Sequence, residues 1–144
     1  MSEAAFWANV KPVLHGLDPV RVETSDKDGI PDVNVTCGWI ELKVTDWPAR
    51  PETPVNFVHY TTQQRAWHRR RCRYGNCWLL VRIGTDVLLF WGEDAARVCG
   101  TANAAELSRA ALRHWKRGSA WKKELKSALL EDRSHRGWGL FDDR

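Results

Sequence analysis

A chain of 144 residues, 43% of them hydrophobic, has the length and apolar content of one compact domain. Its 22 Lys and Arg against 18 Asp and Glu leave a net charge of +4, and no apolar run approaches the roughly 20 residues that a bilayer-crossing helix needs, which excludes a helical membrane protein. Four cysteines (Cys37, Cys72, Cys77, Cys99) form no Cys-x-x-Cys pair, and the first residues carry no basic-then-apolar leader, so the expectation is a cytoplasmic chain with reduced, structural thiols. Several of the nine Trp residues stand beside charged residues, as Trp67, Trp115 and Trp121 do. Core filling is expected of them ahead of stacking surfaces.

In chain order, Ser2 can cap a first helix with an apolar stripe at Phe6, Val10, Val13 and Leu14, which Pro12 should end or kink. Val20 to Thr24, Asp32 to Thr36 and Trp39 to Val44 then read as a three-stranded meander, with Ser25 to Gly29 and Cys37-Gly38 as turns. Asp46 to Pro54, with three prolines, reads as a loop. Thr61 or Thr62 opens a helix to about Arg73, stopped by Gly75-Asn76. Cys77 to Ile83 and Val87 to Trp91 form a second hairpin around Gly84-Thr85-Asp86. Asn103 with Glu106 makes a capping box for a helix to about Trp115, and Ser119 begins another with a stripe at Trp121, Leu125, Ala128 and Leu129. Residues 1–133 thus read as one α/β domain, a mixed sheet flanked by helices with extra helices at the C-terminus, and 134–144 as a loose tail.

Trp39 to Val44 alternates, so Glu41 and Lys43 share one face of the strand and Ile40, Leu42 and Val44 the other. With Cys37-Gly38 as the hairpin turn, Asn34 falls opposite Glu41 and Asp32 opposite Lys43, which gathers two carboxylates and an ammonium on one patch, expected to face solvent. Glu-x-Lys alone is most often the wet side of a strand. With Asp32 beside it, the set matches the needs of phosphodiester hydrolysis: hard oxygens for a divalent cation and a cation to offset charge on phosphate.

Gly29-Ile30-Pro31-Asp32 followed by Glu41-Leu42-Lys43 resembles the signature of the PD-(D/E)XK nuclease superfamily, and Gln64-Arg65-Ala66-Trp67 resembles the Gln-x-x-Trp element of its viral replication-repair nuclease (VRR-NUC) branch. Small stand-alone members of that branch, often from phages, are similar to Holliday-junction resolvases. The similarity spans roughly Val20 to Val81. It implies a restriction-endonuclease-like fold, Mg²⁺ with Mn²⁺ able to substitute, and metal ligation by Asp32, Glu41 and the backbone carbonyl of Leu42. It further implies that Lys43 orients the attacking water and that Gln64 lies beside the scissile phosphate. Gln64 has an equal claim as the partner of Thr61 in a capping box. Relatives carry a further acid from the first helix or strand, for which Glu3 and Glu23 are the candidates. His59 and His68 flank this region without a ligand-like pattern, and surface or helix-packing roles are expected of them.

Arg65, Arg69, Arg70, Arg71 and Arg73 are crowded into one short stretch, and Arg65, Arg69 and Arg73 recur every fourth residue. With Arg70 they are the expected DNA-binding surface. The expectation from the whole sequence is therefore a metal-dependent DNA endonuclease, with branched DNA as substrate and a homodimer to supply two active sites. A nicking or end-processing nuclease would use the same residues, whereas a non-catalytic DNA-binding module would leave the acids idle.

Overall fold

A computed structural model describes residues 1–22, 29–118 and 120–136, with 132–136 described as backbone only. Six strands form one mixed sheet in the order β1 (Val20–Arg21), β2 (Val33–Val35), β3 (Gly38–Thr45), β4 (Cys77–Ile83), β5 (Asp86–Trp91), β6 (Arg113–Trp115). Every neighbouring pair is antiparallel except β3 and β4, which run parallel and are joined through α2 (Thr62–Arg71). This is the expected α/β class with a single mixed sheet.

The alternation within each strand divides the core between the two faces. On one, Val33, Val35, Ile40, Leu42, Trp78, Leu80 and Leu89 pack with Phe6 and Val10 of α1 (Glu3–Val13) and with Trp121, Leu125 and Leu129 of α5 (Trp121–Arg136). On the other, Leu79, Val81, Ile83, Leu88 and Phe90 are covered by α2, by α3 (Gly92–Val98), by Leu107 of α4 (Ala104–Ala110) and by Val55, Phe57 and Tyr60 of the connection before α2. Trp67, Trp115 and Trp121 are all buried, as core-filling residues should be. The four cysteines are buried thiols. No helix among the described residues is long and apolar enough to cross a membrane.

The helix caps are those expected: Ser2 accepts from Ala5, and Thr61 with Gln64 and Asn103 with Glu106 form complete capping boxes. The structure corrects four boundaries. The first hairpin turns at Thr36-Cys37, one residue early, because Val35 pairs with Gly38. Gly38 is placed by packing: a Cβ there would lie 2.4 Å from the Asn76 carbonyl oxygen. The second hairpin turns at Gly84-Thr85, with Asp86 already paired to Ile83. The helix from Asn103 stops at Ala110, and Arg113–Trp115 add an edge strand to β5. There His114 Nε2 lies 2.8 Å from Asp86 Oδ2 and its Nδ1 lies 2.9 Å from Ser108 Oγ, clasping the strand to α4. Finally, α5 continues to Arg136, past the start of the expected tail; 137–144 lie outside the described residues.

Candidate active site

The site forms where β2, β3 and the first turn of α2 meet. Gly29 makes that meeting possible. It adopts φ +83°, and a Cβ on it would sit 2.3 Å from the Gln63 carbonyl oxygen, so only glycine lets the Gly29–Asp32 segment lie directly on the α2 backbone. Val33 pairs with Ile40 and Asn34 with Trp39, which puts Asp32 opposite Glu41. The register is two residues from the expected one. Because side chains alternate with period two, a shift of two keeps Asp32, Asn34, Glu41 and Lys43 on one face while bringing the two carboxylates from a diagonal to directly opposed positions.

Within that patch Asp32 Oδ2 accepts from the Leu42 backbone N–H at 3.1 Å, and Lys43 Nζ lies 3.2 Å from Glu41 Oε2 and donates to the His59 carbonyl at 2.9 Å. Gln64 completes the capping box and also reaches Glu41. Its Oε1 accepts from the Thr61 N–H at 2.9 Å, and this cap turns its Nε2 toward Glu41 Oε2 at 3.2 Å. The triad is not on a wet face: Glu41 is 1% exposed and Lys43 5%, beneath α2 and the segment carrying His59 and Tyr60, while Asp32 is half-buried at the opening.

Burial makes the Glu41 carboxylate costly. It lifts the Glu41 pKa well above the ordinary value, the Asp32 charge adds to the rise, and Lys43 opposes it. Glu41 Oε2 takes both donors, whereas Oε1 is buried with none. A hard cation that prefers carboxylate oxygens fits this donor set, since it would satisfy Oε1 and relieve the repulsion between Asp32 and Glu41. Among the described residues no group of three or more His, Cys, Asp and Glu gathers to hold a metal. Glu23 lies outside the described residues, and Glu3 belongs to α1, which packs on the opposite face of the sheet from Glu41.

The arginines divide. Arg65 is half-buried: its guanidinium lies 4.3 Å from the Tyr60 ring centroid and donates to the carbonyls of Tyr60, Ala96 and Cys99, the last two at the C-terminal end of α3. Arg69 also reaches the Ala96 carbonyl, at 3.3 Å. The stripe is therefore interrupted: Arg65 is held against α3, Arg69 reaches α3 while remaining exposed like Arg70 and Arg73, and Arg73 lies beyond the end of α2.

A buried pair behind the site was not distinguished by the sequence. Tyr60 Oη and His68 Nδ1 are 2.7 Å apart, and His68 is 1% exposed, in keeping with a packing role. Burial, with the Lys43 charge nearby, pulls the His68 pKa down to about 3, and burial pushes the Tyr60 phenol up, so a neutral imidazole accepts from the phenol. The apolar period of α2 was the available signal, since His68 follows Trp67 on its inward side. No protein-family model matches the chain, and no curated protein or solved structure is significantly similar to it.

Proposed function

We propose that this chain is a divalent-metal-dependent DNA endonuclease whose centre is Asp32, Glu41 and Lys43. The observation that supports it best is the Glu41 carboxylate: buried, opposed to Asp32, held on one oxygen by Lys43 and Gln64 and left without a donor on the other. Leaving one oxygen of a buried carboxylate without a donor costs free energy, and a binding site for a cation accounts for the arrangement. Asp32 and Glu41 would hold Mg²⁺, or Mn²⁺ in its place, with the Leu42 carbonyl as a further oxygen by resemblance to PD-(D/E)XK nucleases; the ion supplies polarisation of a phosphoryl oxygen and a more acidic water. Lys43 holds its positive charge against Glu41 at the same place, where negative charge on a phosphate would be offset. Gln64 keeps Glu41 oriented.

Branched DNA is the proposed substrate and a homodimer the proposed assembly, since two symmetric cuts require two copies of the site. The test is incubation of linear duplex, nicked duplex, a flap and a four-way junction with and without Mg²⁺. Cleavage should require the metal, favour the junction and disappear in Asp32→Asn and Glu41→Gln. Cleavage in EDTA, or wild-type rates in either variant, would overturn the assignment; metal-independent DNA binding with no cleavage would identify a binding module instead.

A further inference from the structure

The segment after α2, the end of β2 with the β2–β3 turn and the N-terminal ends of β3 and β4 line an open cavity of about 610 Å³. Asn34, Trp39, Arg71, Tyr74 and Asn76 contribute to its wall. Two of its lining residues share strand faces with the candidate site: Trp39 precedes Glu41 by two residues on the same face of β3, and Asn34 follows Asp32 by two on the same face of β2. Two residues of strand span roughly 7 Å, about two nucleotide steps at the 3.4 Å rise of a DNA strand.

The chemistry of this wall is unlike a surface for phosphates alone. Tyr74 is 71% exposed, an unusual state for an aromatic ring. Trp39 and Trp67 pack in a T-shaped pair with ring centroids 5.7 Å apart, and Arg71 lies 4.9 Å from the Trp67 ring centroid. Asn76 Nδ2 donates to the Cys37 carbonyl at 3.1 Å, which ties the start of β4 to the β2–β3 turn and holds this wall in place. A nucleobase offers complements to the exposed side chains here: a π face for Tyr74 or Trp39 and edge acceptors for the Arg71 guanidinium.

We propose that this cavity binds one unpaired nucleobase of the DNA strand whose phosphate lies at Asp32 and Glu41, so that the protein selects DNA with unstacked or unpaired nucleotides next to the cut. The identity of the ligand as DNA rests on the nuclease reading, but the pocket is testable without catalysis. Affinity is measured in EDTA for a short duplex with one unpaired nucleotide and for the same duplex fully paired. 2-Aminopurine at the unpaired position reports stacking through its quenching.

The wild type should favour the unpaired site by about tenfold, the order expected of one base stacked on an aromatic ring, and should quench the probe. Tyr74→Ala should lose most of that preference with unchanged affinity for paired duplex, and Tyr74→Phe should keep it; the exposure of Tyr74 makes both variants safe for folding. Equal affinity of the wild type for the two DNAs, binding to neither, or a preference surviving Tyr74→Ala would overturn the proposal. Mg²⁺-dependent cleavage without any preference defeats the pocket alone, whereas a preference in EDTA without cleavage in Mg²⁺ defeats the nuclease reading alone.

Discussion

Replacing Lys43 with Ala would leave the Glu41 carboxylate buried with Gln64 as its remaining donor, an arrangement that costs roughly 3–5 kcal/mol when a buried ion pair loses one partner. The variant therefore tests stability as well as chemistry, which a lysine on an exposed strand face would not. Glu41 can escape the cost by taking a proton, and its raised pKa makes that easier. The destabilisation should accordingly be smaller at pH 5 than at pH 8 in urea unfolding with EDTA. At equal folded fraction, single-turnover cleavage by Lys43→Ala should fall by about 10² or more with DNA affinity little changed, and Lys43→Arg should recover only part, because its planar fork cannot reproduce a point charge between Glu41 and the His59 carbonyl. Normal cleavage with weak binding would make Lys43 a phosphate anchor.

At the scale of elements, α2 does two jobs with one face: its first turn brings Gln64 to Glu41, and its next turns use Arg65 and Arg69 to cap α3. Gly100 has no side chain to block this, since a Cβ would lie 2.8 Å from Arg65 Nη2. Arg65→Gln should lower stability by about 1.5–3 kcal/mol, the worth of a charged hydrogen bond, and leave the salt dependence of DNA binding unchanged. Arg70→Gln with Arg73→Gln should leave stability unchanged and lower the slope of log K against log salt by about 0.9 for each phosphate no longer neutralised. A flattened slope in Arg65→Gln would return that residue to the DNA surface. The sequence could show Arg65 at helical spacing but not that α3 existed to receive it. Gly92 opens α3 with no side-chain cap, so the acidic pair Glu93-Asp94 is all that marks its start locally. Likewise the capping box at Asn103 was legible, whereas the end of α4 was set from outside, by pairing of Arg113–Trp115 with β5 and burial of Trp115. The period-two pattern was enough to put Asp32, Glu41 and Lys43 on one face under either register. Their depth was not legible, because it depends on what α2 and the segment before it cover.

For the molecule as a whole, the two faces of the sheet have different pH dependences, because α1 and α5 cover an apolar layer whereas α2 and α3 cover one that holds Glu41, Lys43 and His68. His68 is held neutral, with a pKa of about 3 against 6.5 when unfolded. Between those values the unfolded chain binds a proton that the folded chain refuses, so stability is lost as pH falls from 6.5 toward 3, by about 1.4 kcal/mol per pH unit. Glu41 has the opposite sign. Its pKa is raised in the folded state, so its carboxylate costs stability as pH rises from 4.5 through the folded value, and a bound cation should remove that cost. Urea unfolding from pH 4.5 to 8, with EDTA or Mg²⁺, separates the two. Mg²⁺ should stabilise most at the alkaline end, and Glu41→Gln should abolish that effect together with the Glu41 share of the pH dependence in EDTA, since an amide does not titrate. His68→Gln, which keeps a polar partner for Tyr60, should unfold more easily than the wild type at pH 7, with the gap narrowing steadily below pH 6. A gap constant with pH would mean that His68 takes up a proton as readily in the fold as in the unfolded chain, and an Mg²⁺ effect surviving Glu41→Gln would remove the ion from the Asp32–Glu41 pair.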